Sequence, residues 1–149
     1  MERRLILHRA AESVAALNRG DAEGWLAYTA EDVIWRDVAL PMPVHGRGAL
    51  KACVTRYLTA IPDLHFEVTS VTFEGPRLAR EWTATGTHLG ELLGIAPTGR
   101  AIRNYGATIS SFDDDGLLIE ATTYWNTLVM LQQLGVAKPV PELAAAATS

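Results

Sequence analysis

The sequence predicts an α+β fold in which one curved antiparallel sheet wraps over helices from the first part of the chain. Apolar residues recur with helical spacing as far as Ile61, and the period changes to 2 from His65 onward. Helices followed by long consecutive strands joined by turns are typical of this fold class. At 149 residues, 48% of them hydrophobic, the chain fits one domain that buries its own core.

Two helices are predicted at the start of the chain. Residues 5–18 carry apolar side chains on one helix face, which leaves Arg9 and Glu12 for solvent. Gly20 is a typical helix stop, and Asp21 is a typical N-cap for a second, short helix.

A strand, a loop and a third helix come next. The β-branched and aromatic residues of 32–38 predict a strand. The loop 40–48 is rich in proline and glycine, so we expect no regular structure there. The third helix has apolar residues on one face between Leu50 and Ile61, and Pro62 ends it.

The second half of the chain is mostly strand. Strands are predicted at 66–73, 78–88, 101–112 and 117–125, and a last helix is predicted at 127–134. Gly75-Pro76 and the acidic segment 113–116 supply turns. No internal repeat or linker divides the chain, so we expect one domain over residues 1–137 and a loose tail over 138–149.

Composition argues against several classes of protein. The net charge of −4, without a basic stripe, disfavours a nucleic-acid or anionic-membrane partner. Cys53 is the only cysteine and the apolar stretch Leu5–Leu7 is too short for a signal peptide, so we expect a cytoplasmic protein. The four histidines are scattered and predict no metal site, and no phosphate- or dinucleotide-binding glycine motif is present. We therefore expect chemistry without a cofactor.

Five short segments carry a resemblance to a known family. They are 16–21 (ALNRGD), 35–37 (WRD), 46–48 (GRG), 88–99 (HLGELLGIAPTG) and 133–135 (QLG). The first three resemble the nuclear-transport-factor-2-like superfamily, and the last two are similar to SnoaL-like polyketide cyclases within it. The resemblance spans residues 5–135 and implies a cone-shaped barrel, a homodimer and a pocket at the wide end. Members include aldol cyclases, hydroxylases, ketosteroid isomerases and small epoxide hydrolases, and the fold alone does not choose among them.

The catalytic positions of these relatives are only partly filled in this chain. Aldol cyclases of the family have an acid–base aspartate at the position of Thr123, and many members have an aspartate where this chain has Asn126. Ketosteroid isomerases resemble the chain at Asp37, which aligns with their base. Their oxyanion tyrosine, however, falls at Ser13 and their protonated aspartate at Thr108. No relative's complete catalytic set is present, so no familiar mechanism transfers intact.

Asp37 is the leading catalytic candidate. Strand alternation puts Val33, Trp35 and Asp37 on one face, and the resemblance makes that face the pocket side. A carboxylate in that place can remove a proton next to a carbonyl group. The alternative is that Asp37 only accepts hydrogen bonds from backbone amides of the loop 41–48.

Two further polar residues are candidates on the neighbouring strands. His88 shares a strand face with Trp82 and could protonate an enolate or orient a carbonyl group, as a second catalytic residue. The alternative for His88 is a hydrogen bond to the loop 90–99. Asn104 shares a face with Thr108, where polar side chains could act as oxyanion donors or could be purely structural.

Tryptophans mark the inferred pocket faces of three strands. Aromatic walls suit a polycyclic or polyene ligand, and they can hold a flexible chain folded for ring closure. Ordinary core packing is the alternative. The predicted substrate-binding residues are Trp35, Trp82, Asn104, Thr108, Thr123 and Trp125.

We therefore expect a cofactor-independent cyclase or isomerase acting on a polyketide-like or other apolar carbonyl compound. Asp37 would move the proton, while His88 or Asn104 would stabilise charge on oxygen. Two alternatives stay open. One is a non-catalytic binding or accessory protein, which the missing carboxylates favour, and the other is a hydroxylase-type member of the same family.

Overall fold

The computed structural model describes residues 2–138 and has the predicted α+β class, with the helices first. Its elements are α1 (Arg3–Asn18), α2 (Ala22–Trp25), β1 (Thr29–Asp37), β2 (Val44–His45), α3 (Arg47–Ala60), β3 (His65–Glu74), β4 (Arg77–Thr87), β5 (Ala101–Phe112), β6 (Leu118–Trp125) and α4 (Thr127–Gln133). Of the tail predicted to be loose, all but Lys138 lies outside the described residues. No helix in the described range is long and apolar enough to cross a membrane.

The six strands form one mixed sheet in the order β2-β1-β6-β5-β4-β3. β1 and β6 run parallel, and every other neighbouring pair is antiparallel. β2 and β3 are the two edges and do not pair with each other, so the barrel is open rather than closed. The sheet curves around α1 and α3, which cover one of its faces.

The strand register aligns four polar residues in a row across the covered face of the sheet. Asp37 of β1 is paired with Thr123 of β6. Thr123 is paired with Thr108 of β5, and Thr108 with Arg80 of β4. Paired residues on adjacent strands project to the same side of a sheet. The row therefore carries a carboxylate at one end, a guanidinium at the other and two hydroxyls between them.

Apolar clusters fix the elements that carry this row. Ile6 of α1 packs with Leu78 of β4 and Phe112 of β5, and both Ile6 and Leu78 are 0% exposed. Val33 of β1 packs with Leu50 of α3. Fully burying one such side chain contributes about 1.5–3 kcal/mol. The helices are thus held against the sheet on both sides of the row.

One local expectation was wrong and another held only in part, because of contacts with other segments of the chain. The loop predicted to be irregular contains β2, which forms because Val44 and His45 pair with the edge of β1. Arg9 is only partly exposed. Its Nη1 donates to the backbone oxygens of Asp115 at 3.0 Å and Gly116 at 3.2 Å. Helical periodicity carries no information about acceptors more than a hundred residues away.

Candidate active site

A cavity of about 170 Å³ lies between α1, α3 and the covered face of the sheet. Since one water occupies about 30 Å³ of liquid, the cavity has room for a small organic molecule. Its wall is predominantly apolar and includes all four tryptophans of the chain. Trp35, Trp82 and Trp125 project into it from the sheet, and Trp25 joins from α2. Their role as substrate contacts stays a prediction.

Asp37, the last residue of β1, is a buried carboxylate in the cavity wall and is 8% exposed. Its Oδ1 accepts hydrogen bonds from the Ala39 backbone N–H at 2.9 Å and from Trp125 Nε1 at 2.8 Å. Its Oδ2 accepts from the Tyr57 hydroxyl at 3.0 Å. A carboxylate has about four acceptor positions, so one position on Oδ2 remains for a ligand. The backbone donor is Ala39 rather than an amide of the loop 41–48.

Tyr57 brings a hydroxyl from α3 to the Asp37 carboxylate. Burial raises the pKa of the Tyr57 phenol far above its ordinary value, and the charge and hydrogen bond of Asp37 add to the effect. Tyr57 therefore stays protonated and serves as a donor. Sequence reasoning missed this role, although Tyr57 shares the inward face of α3 with Leu50 and Val54. Cys53 lines the same wall, and burial raises the pKa of its thiol.

Two buried hydroxyls follow Asp37 along the row of paired residues and carry a spare hydrogen. Trp82 Nε1 donates to Thr108 Oγ1 at 3.0 Å, and Thr108 Oγ1 shares a hydrogen bond with Thr123 Oγ1 at 3.1 Å. That bond uses one of the two hydroxyl hydrogens. Whichever threonine donates, the other hydrogen has no acceptor within residues 2–138. It can bind a ligand oxygen in the cavity, as an oxyanion donor does.

The Trp82 indole owes its position to a glycine on the neighbouring strand. A Cβ added at Gly106 would lie 2.4 Å from the Trp82 ring. The ring is also held by Phe66, whose centroid is 4.9 Å away at an interplanar angle of 70°. Gly106 therefore makes room for a side chain of the wall, and Trp82 in turn orients Thr108.

Asn104 lines the cavity, and its side chain links β5 to the N-terminus of α4. Its Nδ2 donates to the Asn126 backbone oxygen at 2.9 Å, and its Oδ1 accepts from the Asn126 backbone N–H at 3.1 Å. Asn126 caps α4, because its side chain accepts from the Val129 N–H at 3.1 Å. The geometry favours the structural alternative for Asn104. It also explains an asparagine at position 126, since asparagine is a preferred N-cap.

The prediction that His88 faces the cavity was wrong. β4 ends at Thr87, so strand alternation no longer sets the direction of the next side chain. His88 is 0% exposed and does not line the cavity. Its Nδ1 lies 3.0 Å from Thr98 Oγ1 and accepts from the Thr98 N–H at 3.2 Å. The imidazole thus fixes the loop between β4 and β5, as the structural alternative expected.

Comparisons with known proteins agree with this architecture. The family model described as SnoaL-like polyketide cyclase matches residues 7–134. A comparison with curated protein sequences finds no match.

Three solved structures illustrate the similarity. AclR from Streptomyces galilaeus, a candidate hydroxylase, is 29% identical with a TM-score of 0.83, covering 98% of this chain and 95% of its own. IdmH from Streptomyces antibioticus, a candidate polyketide cyclase, is 27% identical with a TM-score of 0.74, covering 88% of this chain and 99% of its own. A Catenulispora acidiphila protein with a ketosteroid isomerase-like fold is 17% identical with a TM-score of 0.74, covering 87% of this chain and 93% of its own. The third likeness concerns the fold alone.

Proposed function

The chain belongs to the SnoaL-like polyketide cyclase family, and on that premise we propose that it closes a ring in, or isomerises, an apolar carbonyl compound by acid–base chemistry. The observation that carries the proposal is the Asp37 carboxylate. It lies in an otherwise largely apolar wall, held by three donors, with one acceptor position unoccupied. The cavity residues supply the proton transfer and the charge stabilisation, and no cofactor is required by this scheme.

The reaction starts with a proton transfer to Asp37. The free position on Oδ2 takes a proton from the carbon next to a substrate carbonyl, and the carbonyl oxygen gains the resulting charge. Thr108 and Thr123 stabilise that oxygen with their spare hydroxyl hydrogen. Asp37 and Thr123 are paired on adjacent strands, which are about 4.8 Å apart. The reacting carbon and its oxygen can therefore be engaged together.

The enolate can then react in two ways. Attack on a second carbonyl of the same molecule closes a ring, and the proton held by Asp37 passes to the new alkoxide. Return of the proton to a different carbon gives an isomer of unchanged mass instead. Trp35, Trp82 and Trp125 would hold the substrate folded, which lowers the entropic part of the activation barrier to ring closure. Tyr57 and Trp125 keep the carboxylate in place throughout.

The proposal is tested by incubating the protein with polyketide-like diketones and following products by mass spectrometry. Wild type should give an isomer of unchanged mass, or the product of its dehydration. Asp37→Asn should lower turnover by about 10²–10⁴-fold, the usual contribution of a general base, while ligand binding persists. Asp32→Asn is the matched control, because Asp32 is exposed on the same strand. Equal turnover in wild type and Asp37→Asn would remove Asp37 from the mechanism.

A hydroxylase is the second candidate, because AclR at 29% identity is a candidate hydroxylase. Hydroxylation adds one oxygen atom to the product and requires molecular oxygen and a reductant. The same mass spectra distinguish it by a mass gain of one oxygen that depends on the added reductant. A binding or accessory protein, which the threonine at position 123 favours, would quench tryptophan fluorescence on binding and give no product.

A homodimer is part of the proposal. Tyr105 and Tyr124 project from the uncovered face of the sheet and are 63% and 51% exposed. Aromatic residues are enriched at protein interfaces, so this face is a suitable dimer contact. Sedimentation should give the mass of two chains, and Tyr105→Lys with Tyr124→Lys should give one. A monomeric wild type would contradict this part.

A further inference from the structure

Arg80 is a cation in the cavity wall that the proposed reaction does not use. It lies on β4 and lines the cavity. Its Nη1 donates one hydrogen bond, to the Ala10 backbone oxygen of α1 at 3.3 Å. No carboxylate oxygen of residues 2–138 lies within 4.0 Å of its guanidinium. Burial lowers the pKa of Arg80, but arginine stays charged at neutral pH.

The surroundings leave most of the guanidinium unsatisfied by protein groups. A guanidinium has five N–H donors, and one of them is accounted for. The strand neighbours of Arg80 are Val71 and Thr108, neither of which is charged. Arg80 is half-buried, and hydrogen bonds between charged partners are stronger than those between neutral ones. An anion bound in the cavity would therefore meet a positive charge with free N–H donors.

Arg80 and Asp37 are too far apart to serve as partners for each other. They stand at opposite ends of the row Arg80–Thr108–Thr123–Asp37. Three strand spacings of about 4.8 Å separate their backbones by roughly 14 Å. The two hydroxyls lie between, one and two spacings from Arg80. A ligand along this row would meet a cation at one end and a base at the other.

We propose that the cavity recognises an apolar keto acid, whose carboxylate pairs with Arg80 while its ketone oxygen faces the hydroxyls of Thr108 and Thr123. This inference rests on the proposed function, because it names the substrate class of the same cavity. A carboxylate is the planar partner that a guanidinium binds through two parallel hydrogen bonds. The row also sets a length, because the carboxylate and the ketone oxygen lie roughly 5–10 Å apart, one or two strand spacings.

The test compares an acid with its neutral ester. para-Acetylbenzoate carries a carboxylate and a ketone at opposite ends of an apolar ring, and in its methyl ester a methyl group replaces the negative charge. Dissociation constants are measured by titration calorimetry on the full chain. Wild type should bind the acid about 10- to 100-fold more tightly than the ester, the range for hydrogen bonds to a charged group. Arg80→Gln should abolish this preference, with most of the loss in the binding of the acid.

Two further variants make the comparison specific. Arg77→Gln removes an exposed arginine from the same strand and should leave both dissociation constants unchanged. Arg80→Lys keeps the charge without the planar fork and should reduce the acid preference only in part. It also replaces Arg80→Gln if circular dichroism shows that variant to be unfolded. Equal binding of acid and ester by wild type, or an undiminished preference in the Arg80 variants, would overturn the inference.

Deuterium exchange of the acetyl hydrogens, followed in the same mixtures, reports separately on the proposed function. If the preference for the acid depends on Arg80 but no hydrogens exchange, the keto-acid site is supported and the chemistry assigned to Asp37 is refuted. If the acetyl hydrogens of both ligands exchange but acid and ester bind equally, the chemistry assigned to Asp37 is supported and the keto-acid site is refuted.

Discussion

Removing the Tyr57 hydroxyl tests whether the Asp37 carboxylate depends on its donors. In Tyr57→Phe the ring remains, and Asp37 Oδ2 loses the donor that lies 3.0 Å away. A hydrogen bond to a charged group contributes about 1.5–3 kcal/mol, and the free energy of unfolding should fall by that amount. For a chain of 149 residues, this corresponds to a melting temperature lower by roughly 3–12 °C. Urea unfolding followed by circular dichroism measures the change.

The matched control is Tyr28→Phe, which removes the same atom at an exposed site. Tyr28 donates to Glu12 Oε2 at 2.8 Å, and we expect its loss to cost less than about 0.5 kcal/mol. A double-mutant cycle of Tyr57→Phe with Asp37→Asn should give a coupling energy above about 0.5 kcal/mol. Equal losses in the two tyrosine variants, with no coupling to Asp37, would refute the reasoning.

Burial raises the pKa of Tyr57, so the folded protein keeps a proton that the unfolded chain releases near pH 10. Wild type should therefore lose more unfolding free energy than Tyr57→Phe above about pH 10, which urea unfolding across that range measures. Gly106→Ala places a methyl group 2.4 Å from the Trp82 ring and should destabilise by about 1–3 kcal/mol, with a shift in tryptophan emission. Gly48→Ala has open space around its Cβ and should stabilise by about 0.5–1 kcal/mol in the same unfolding assay. Replacing both Thr108 and Thr123 by valine should lower kcat by about 10²–10³-fold with a smaller change in KM, and an unchanged kcat would remove these hydroxyls from the mechanism.

Local patterns were sufficient to predict the fold class and which residues share a face within each strand. Alternation depends only on backbone geometry and groups Trp35 with Asp37, whereas the family resemblance was needed to identify that face as the pocket side. The change of period at His65 likewise separated the helices from the long strands.

The chemistry around Asp37 depends on contacts between distant segments and could not be predicted in this way. Tyr57 looks like any aromatic residue on an amphipathic helix until its hydroxyl is found 3.0 Å from a carboxylate twenty residues earlier. The sequence contains 17 acidic residues, and it does not show that none of those in the described range pairs with Arg80. His88 was misplaced because the alternation was extended one residue past the end of β4.

The exchange of hydrogens in a bound ketone for deuterium from heavy water tests the central role of Asp37 most directly. The hydrogens next to the carbonyl should be replaced by deuterium in the presence of wild type, at a rate that mass spectrometry follows. Asp37→Asn should bind the same ketone with a similar dissociation constant and exchange at least about 100-fold more slowly. Exchange at the wild-type rate by a folded, ligand-binding Asp37→Asn protein would contradict the account.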